Sequence, residues 1–581
     1  MELFIFMRLI NLVMDNRIVS IAILAFLILF STAIVGIRPV QLISAQTQNA
    51  TTNNATSSMS TVKVSGNSSV SPIGPPSKSA ESSEPIILNP QQLKALEEQV
   101  NETFGGYPKG IAREAVPVQP KGPEPNTATI PSTAPPSLDV NGSNISMLSN
   151  MSTTTNANNT TGNSSKGTTT SQNTSMQAFT LPVRIYKSTL VSPVDPRSII
   201  GEPSLANKGP IVFVTGNWYA ARSTDFGATW KYVNPFTMSD FCCDQDVIYD
   251  KNHGIFLWYR QGIASSTTGE NRFMLGVSKD ALTWVFYSIT PTLFNSAWTN
   301  QWFDYPHIAL SNNHLWITSN MFNKAGQFVR TVISSWPLSP LSLGQTVNFQ
   351  YFFETQEFNF TPVQGSTTDT MYFAVHHSNA QMKLYRWTAG DGISFRLVNI
   401  PVWNFGFRGN MVCSSPDSLN WCARSDSRIT GGWVSNGIIG FLWNARQGSG
   451  FAYPYVNVAI FRETDFSFLS NPKLWNSNFA FMFGYASPNN IPGELGIVAM
   501  YGGGFYYPSI AAGIVDGASG TPPPYQLVTI RAGNHAATGY GDYMRDRPFN
   551  DIGRFWIGSG YTLQGCTSGN CVESRFYAFG R

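Results

Sequence analysis

Ser223-Thr-Asp225-Phe-Gly227-Ala-Thr229-Trp230 reads S-x-D-x-G-x-T-W, and every position in it has a turn role. Ser and Asp side chains at this spacing hydrogen-bond nearby backbone amides, glycine supplies φ > 0, and the aromatic residue caps an adjoining strand. The run reads as a tight hairpin between two strands. Strand-like segments continue on both sides of it: Ile211-Val-Phe-Val-Thr215, Ile255-Phe-Leu-Trp-Tyr259, Leu315-Trp-Ile-Thr318 and Met371-Tyr-Phe-Ala-Val375, with turn residues between them and no helical period.

Several of these segments repeat. Glu202-Pro-Ser-Leu-Ala206 matches Tyr305-Pro-His-Ile-Ala309, and Tyr453-Pro-Tyr-Val456 matches Tyr507-Pro-Ser-Ile510. Repeats of one small antiparallel sheet point to an all-β, seven-bladed β-propeller over 178–581, with inner hairpins starting near 203, 245, 305, 366, 430, 493 and 542; a six-bladed ring is the alternative. The last segment has room for about three strands, so Thr180 to Ser188 is expected to supply the missing outer strand and close the ring.

The S-x-D-x-G-x-T-W run resembles the Asp-box hairpin of sialidase-like β-propellers, with Ser223, Asp225, Gly227 and Trp230 as its structural positions. Ser278-Lys-Asp280-Ala-Leu-Thr283-Trp284 resembles a degraded copy without the glycine. The stretch Gly541-Asp-Tyr543 through Gly560-Tyr-Thr-Leu-Gln-Gly565 to Phe579-Gly-Arg581 looks like the closing blade of secreted propellers of unassigned role. The resemblance implies a fold, since that hairpin lies away from the chemistry in the family. It does not carry over a sialidase site: Val183-Arg184-Ile185-Tyr186 lacks the proline of the family's Arg-Ile-Pro signature. Arg424, Arg428 and Arg545 could take the place of its arginines, but their spacing does not require it.

Composition agrees with a large β domain. Charged residues are only 12% and aromatics 13%, with 49 glycines for tight turns. The net charge of +3, without a Lys/Arg stripe, excludes a nucleic-acid partner. Residues 1–17 read as a cytoplasmic N-terminus and 18–37 as an uncharged apolar run long enough to span a bilayer. Arg8 and Arg17 before it favour export of everything after Arg38. The alternative is a secretory signal cleaved after Ile43-Ser-Ala45. The expected location is thus the cell membrane, single-pass with the C-terminal domain outside, or else the secreted state.

Residues 38–177 are rich in Ser, Thr, Asn and Pro and read as a disordered, N-glycosylated stalk, with a short helix near 90–104 that starts at Asn89-Pro90. Sequons occur at Asn49, Asn54, Asn67, Asn101, Asn141, Asn144, Asn150, Asn158, Asn159, Asn163 and Asn173, with one more, Asn359, in the propeller. Export also permits disulfides. Cys413 with Cys422 and Cys566 with Cys571 are local couples, while Cys242 and Cys243 are adjacent and either pair with each other or scramble the scheme. Neither C-x-x-C nor H-x-x-x-H occurs, so structural zinc is not expected.

Each blade's first strand starts near one mouth of a propeller's channel. The repeat places Glu202, Asp244, Asp246, Asp304, His307, Asp542 and Arg545 there, and Arg428 joins them as a binding candidate. Five carboxylates converging on a channel suit Ca²⁺ or hydrogen bonds to a sugar; the competing reading of each one singly is a cap on its own strand start. No G-x-S-x-G, H-E-x-x-H or phosphate loop is present, and no other cofactor is expected. The expectation from sequence is a membrane-anchored extracellular glycoprotein whose propeller head binds a glycan, another ligand or a neighbouring surface protein; the alternative is a sialidase-like exo-glycosidase at the cell surface.

Overall fold

Strands of two to twelve residues joined by tight turns build small sheets that must bury both faces against neighbours. The computed structural model describes residues 59–85, 91–92, 94, 132–133, 182–191, 201–489, 491, 493–516, 526–550, 554–566 and 569–581. All lie in one compact unit, Ser57–Arg581. Among the described residues no helix is long and apolar enough to cross a membrane, and the apolar run at 18–37 lies outside them. Gln91, Gln92 and Lys94 are helical, but the rest of the expected helix near 90–104 also lies outside.

The fold is an all-β, seven-bladed propeller. The inner strands are Ser204–Lys208, Phe241–Asp250, Gln301–Leu310, Thr361–Pro362, Ile429–Ser435, Ala480–Pro488 and Arg545–Pro548, which define blades 1 to 7. The start expected near 493 is corrected. Glu494–Gly503 is the second strand of blade 6, and the first is Ala480–Pro488. That strand slips register between Met482 and Tyr485 and places Phe483 at φ 56°, so its alternation is broken and the sequence pattern hides it. Arg184–Leu190 pairs antiparallel with Gly569–Gly580 and closes blade 7, as the sequence implies.

Aromatic side chains wedge the blades together. Phe213 of blade 1 meets Trp258 of blade 2 at 5.1 Å, and Trp316 of blade 3 meets Trp387 of blade 4 at 5.0 Å. Trp556 of blade 7 donates its indole N–H to Ser487 O of blade 6 at 2.9 Å. Edge-to-face pairs of this kind contribute roughly 0.5–1.5 kcal/mol each beyond the area they bury.

The S-x-D-x-G-x-T-W run joins the outer strands Tyr219–Ser223 and Lys231–Val233 of blade 1. Ser223 Oγ donates to Asp225 Oδ1 at 2.7 Å and accepts from Gly227 N at 2.8 Å; Asp225 accepts from Thr229 N and Oγ1 at 2.8 and 2.6 Å. Gly227 adopts φ +75°. In the degraded copy, Asp280 accepts from Leu282 N and Thr283 N at 2.9 and 2.7 Å, and Ala281 (φ 56°) takes the conformation of the matching Phe226 (φ 55°), the glycine position being absent.

The expected stalk is corrected in part. Ser60–Val62, Gly66–Val70, Ser77–Lys78 and Glu81–Ser82 pair antiparallel with the outer strands of blades 4, 3, 2 and 1 in turn. This segment is a belt laid backwards around the ring, and Ser132–Thr133 adds a parallel pair on blade 6. Composition hid it because an edge strand needs backbone donors and acceptors more than apolar side chains. Val70 is the one buried side chain among belt residues 59–85, inside the cluster around Trp336 and Phe349.

Asn67 lies exposed on the belt. Asn359 is only 2% exposed, and its amide nitrogen donates to Thr361 Oγ1 and Ile429 O at 3.0 Å each, which leaves no room for a glycan in the folded chain. The other sequons lie outside the described residues.

Candidate functional site

Strand bulges aim side chains into one end of the channel. Inner-strand register slips occur between Phe241 and Gln245 in blade 2 and between Asp304 and His307 in blade 3. Glu202 (φ 40°) and Tyr305 (φ 54°), the matched positions of the Glu202-Pro and Tyr305-Pro repeats, both hold left-handed backbone. Such conformations cost of order 1–3 kcal/mol each and persist where packing imposes them. Their consequence here is convergence: Glu202, Asp244, Asp304 and Asp542 line one cleft with Arg424, Tyr305, Gln261, Trp302 and the two cysteines 242 and 243.

Glu202, Asp244 and Asp542 are buried, with the half-buried Asp304 beside them. Glu202 accepts from Asn217 Nδ2 at 3.0 Å and from Asp542 N at 3.2 Å. Asp244 hydrogen-bonds Glu202; burial first, then the charges of Glu202 and Asp304, push its carboxyl well above the usual range. Since Glu202 already takes two N–H donors, the shared proton belongs to Asp244. Burial also raises Asp304, opposed by Arg428 and by Gln261 Nε2, which donates to it at 3.3 Å. Burial raises Asp542 to about 7 against the pull of Arg424, whose Nε lies 3.8 Å from Oδ1, and of Arg428.

A second layer fills the channel below. Asp246 accepts from Ser204 Oγ at 2.7 Å, Arg547 Nη2 at 3.1 Å and Ile308 N at 3.2 Å, and pairs with Arg545 at 3.6 Å. Arg545 Nη2 meets His307 Nδ1 at 3.2 Å. Burial and three arginines hold His307 well below its ordinary pKa, so it is neutral. Asp246, His307 and Arg545 are therefore internal struts that seal the cleft, while Glu202, Asp244, Asp304 and Asp542 face it. Arg428 stands between the two groups, under Tyr305.

Sequence reasoning did not assign Tyr305, Gln261 or Arg408 to the site. Arg408 sits close enough to Arg424 and Arg428 that, after burial, their charges lower its pKa. The Cys413–Cys422 disulfide staples the loop that delivers this group, and Cys242–Cys243 is a vicinal disulfide. The side chains of Cys566 and Cys571 lie outside the described residues. A Cys-Cys-Asp run ending on a predicted channel residue was the available signal for the cleft wall.

Among the described residues no group of three or more His, Cys, Asp or Glu side chains is disposed to hold a metal ion. A wider opening, with about 1970 Å³ of empty volume against about 410 Å³ for the cleft, lies at the other end of the inner strands around Asn252, Asn312 and Asn436. It holds no comparable group of carboxyls, so the smaller cleft is the candidate site.

No protein-family model matches the chain, and no curated protein matches it in sequence. Solved structures similar to it include β-propeller glycoside hydrolases. The α-L-arabinofuranosidase of Fusarium graminearum is 11% identical, with a TM-score of 0.34 over 68% of this chain and 97% of that one. An α-L-arabinanase of Penicillium chrysogenum is 13% identical (TM-score 0.31; 68% and 98%), and a Trypanosoma rangeli sialidase mutant is 10% identical (TM-score 0.31; 57% and 53%). Similarity at this level carries no argument about activity.

Proposed function

We propose that the cleft is the active site of an exo-acting glycoside hydrolase. The supporting observation is a group of four carboxyls, three buried and Asp304 half-buried, in which Asp244 retains a proton beside Glu202 while Arg424 and Arg428 oppose the rise that burial gives Asp304 and Asp542. Carboxyl groups whose surroundings differ in this way can divide acid and base roles. Asp244 gives its proton to the leaving oxygen as the glycosidic C–O bond breaks. Asp304 takes a proton from the water that forms the new bond to the anomeric carbon, and Glu202 keeps the donor in place. The layer of Asp246, His307 and Arg545 makes the cleft blind, which favours a chain end over an internal segment.

The surface placement is part of the same proposal. It is supported by the apolar run 18–37, the sequons and the two disulfides, which suit an exported chain.

The test is a panel of 4-nitrophenyl furanosides and pyranosides with the purified full-length chain. Nitrophenol release is expected, reduced on the order of 10²–10⁴-fold by Asp244→Asn and by Asp304→Asn. Glycan capture on an array without release of any sugar overturns the hydrolase and restores a purely binding head.

A further inference from the structure

Asp244 sits on backbone that the sheet does not hold. Blade 2's inner strand slips register between Phe241 and Gln245, so residues 242–244 fall outside its regular pairing with Ile255–Gly262. What fixes the step is covalent. Cys242 and Cys243 are disulfide-bonded with their Cα atoms 3.7 Å apart, and Cys242 O accepts the Trp218 indole N–H at 2.6 Å. Both cysteines are 4% exposed, packed with Trp218, Met238, Phe241 and Met274, and both line the cleft.

The next residue carries the carboxyl that most needs restraint. Asp244 faces Glu202 from blade 1, Asp304 from blade 3 and Asp542 from blade 7. The phenols of Tyr259 and Tyr543 lie within reach of its field, and Asp246 acts on Tyr543 from below. Arg424 and Arg428 act on Asp304 and Asp542. Burial disfavours the charged form of this carboxyl, so swinging Asp244 towards water, where it can ionise, is favoured, and an unpaired strand step has the torsions to allow it. A ring closed between adjacent residues removes those torsions.

We propose that the Cys242–Cys243 disulfide is the positioning element of Asp244: it holds that carboxyl against Glu202, and opening the ring releases it from the cleft. Only the catalytic meaning of this placement rests on the hydrolase reading; the placement itself does not. Opening by dithiothreitol is balanced: the S–S bond takes two electrons and two protons to give two thiols, and the reagent closes to its own cyclic disulfide.

The experiment uses the full-length chain, oxidised and reduced, with C242A/C243A as an independent route to the open step and thermal unfolding to show that the variant is folded. Infrared difference spectra follow the protonated carboxyl C=O band that Asp244→Asn removes. The expected result is loss of that band on reduction and in C242A/C243A, with no further change when the double variant is reduced. Any glycoside turned over should lose at least tenfold in kcat with a smaller change in KM, restored on reoxidation. An unchanged band in folded C242A/C243A, or in reduced chain whose Cys242 and Cys243 are alkylated as thiols, overturns the proposal. If no glycoside is hydrolysed while the band still vanishes, the hydrolase reading fails and the positioning role stands.

Discussion

The guanidinium carbon of Arg428 lies 4.2 Å from the centre of the Tyr305 ring, while Asp426 accepts from its Nε and Nη2 at 2.8 and 2.7 Å. Burial opposes the arginine's charge, yet this two-point pairing more than offsets it and holds the pKa above the ordinary value. Arg428 is thereby a fixed cation that acts on Asp304 and Asp542. Arg428→Met removes it, so both carboxyls should hold their protons to higher pH. Infrared titration of the carboxyl bands is expected to place the Asp542 transition above its present value of about 7. A transition that stays or falls would show that Arg424 alone sets the local field.

The blade 1 turn offers a graded test. Asp225→Ala loses the Thr229 and Ser223 partners at a partly exposed site and should cost about 1 kcal/mol. Gly227→Ala should cost more. Its φ is +75°, and an added Cβ would lie 2.6 Å from the Phe576 ring of blade 7. Unfolding midpoints should fall in that order; the reverse order would mean the turn does not bear on the seam between blades 1 and 7.

How far these features could be read in advance differs by cause. The blade 1 turn and the closing strand were legible because turn chemistry and alternation are local. Glu202, Asp244, Asp304 and Asp542 were legible as a group because the repeat fixes where inner strands begin. Their separation from Asp246, His307 and Arg545 was not, since Asp244 and Asp246 are two residues apart and only the bulge decides which faces the cleft. The belt was invisible because Ser60–Val62 and Glu81–Ser82 contribute backbone, not side chains, to the blades they edge.

His376 supplies a pH-linked prediction. Its ring lies 4.8 Å from Trp403 and 4.6 Å from Trp443, neither ring nitrogen finds a partner, and burial lowers its pKa to about 3. The folded chain thus keeps this group neutral, while the unfolded chain protonates it near 6.5. Its contribution is full above about pH 6.5 and is lost as pH falls towards 3, by up to about 1.4 kcal/mol per pH unit. His376→Leu should remove that component, so the wild type should lose stability more steeply than the variant between those limits. Parallel pH profiles would place a proton acceptor beside the ring in solution.

The belt predicts a separable failure. Val70 is buried opposite Val347 on blade 3, and on blade 1 Glu81 pairs with Arg222 of the third strand at 3.2 Å. Val70→Asp puts an unpaired carboxylate into the cluster around Trp336 and Phe349, a cost that peeling the belt away relieves at the loss of a few ladder bonds. Residues 59–85 should then become sensitive to limited proteolysis while 201–581 stays resistant. The bared outer strands of blades 2 and 3 present free backbone donors and acceptors, so light scattering should rise with concentration for the variant and not for the wild type. A variant that resists cleavage in 59–85 and stays monodisperse would mean that backbone pairing alone holds the belt, without its valine anchor.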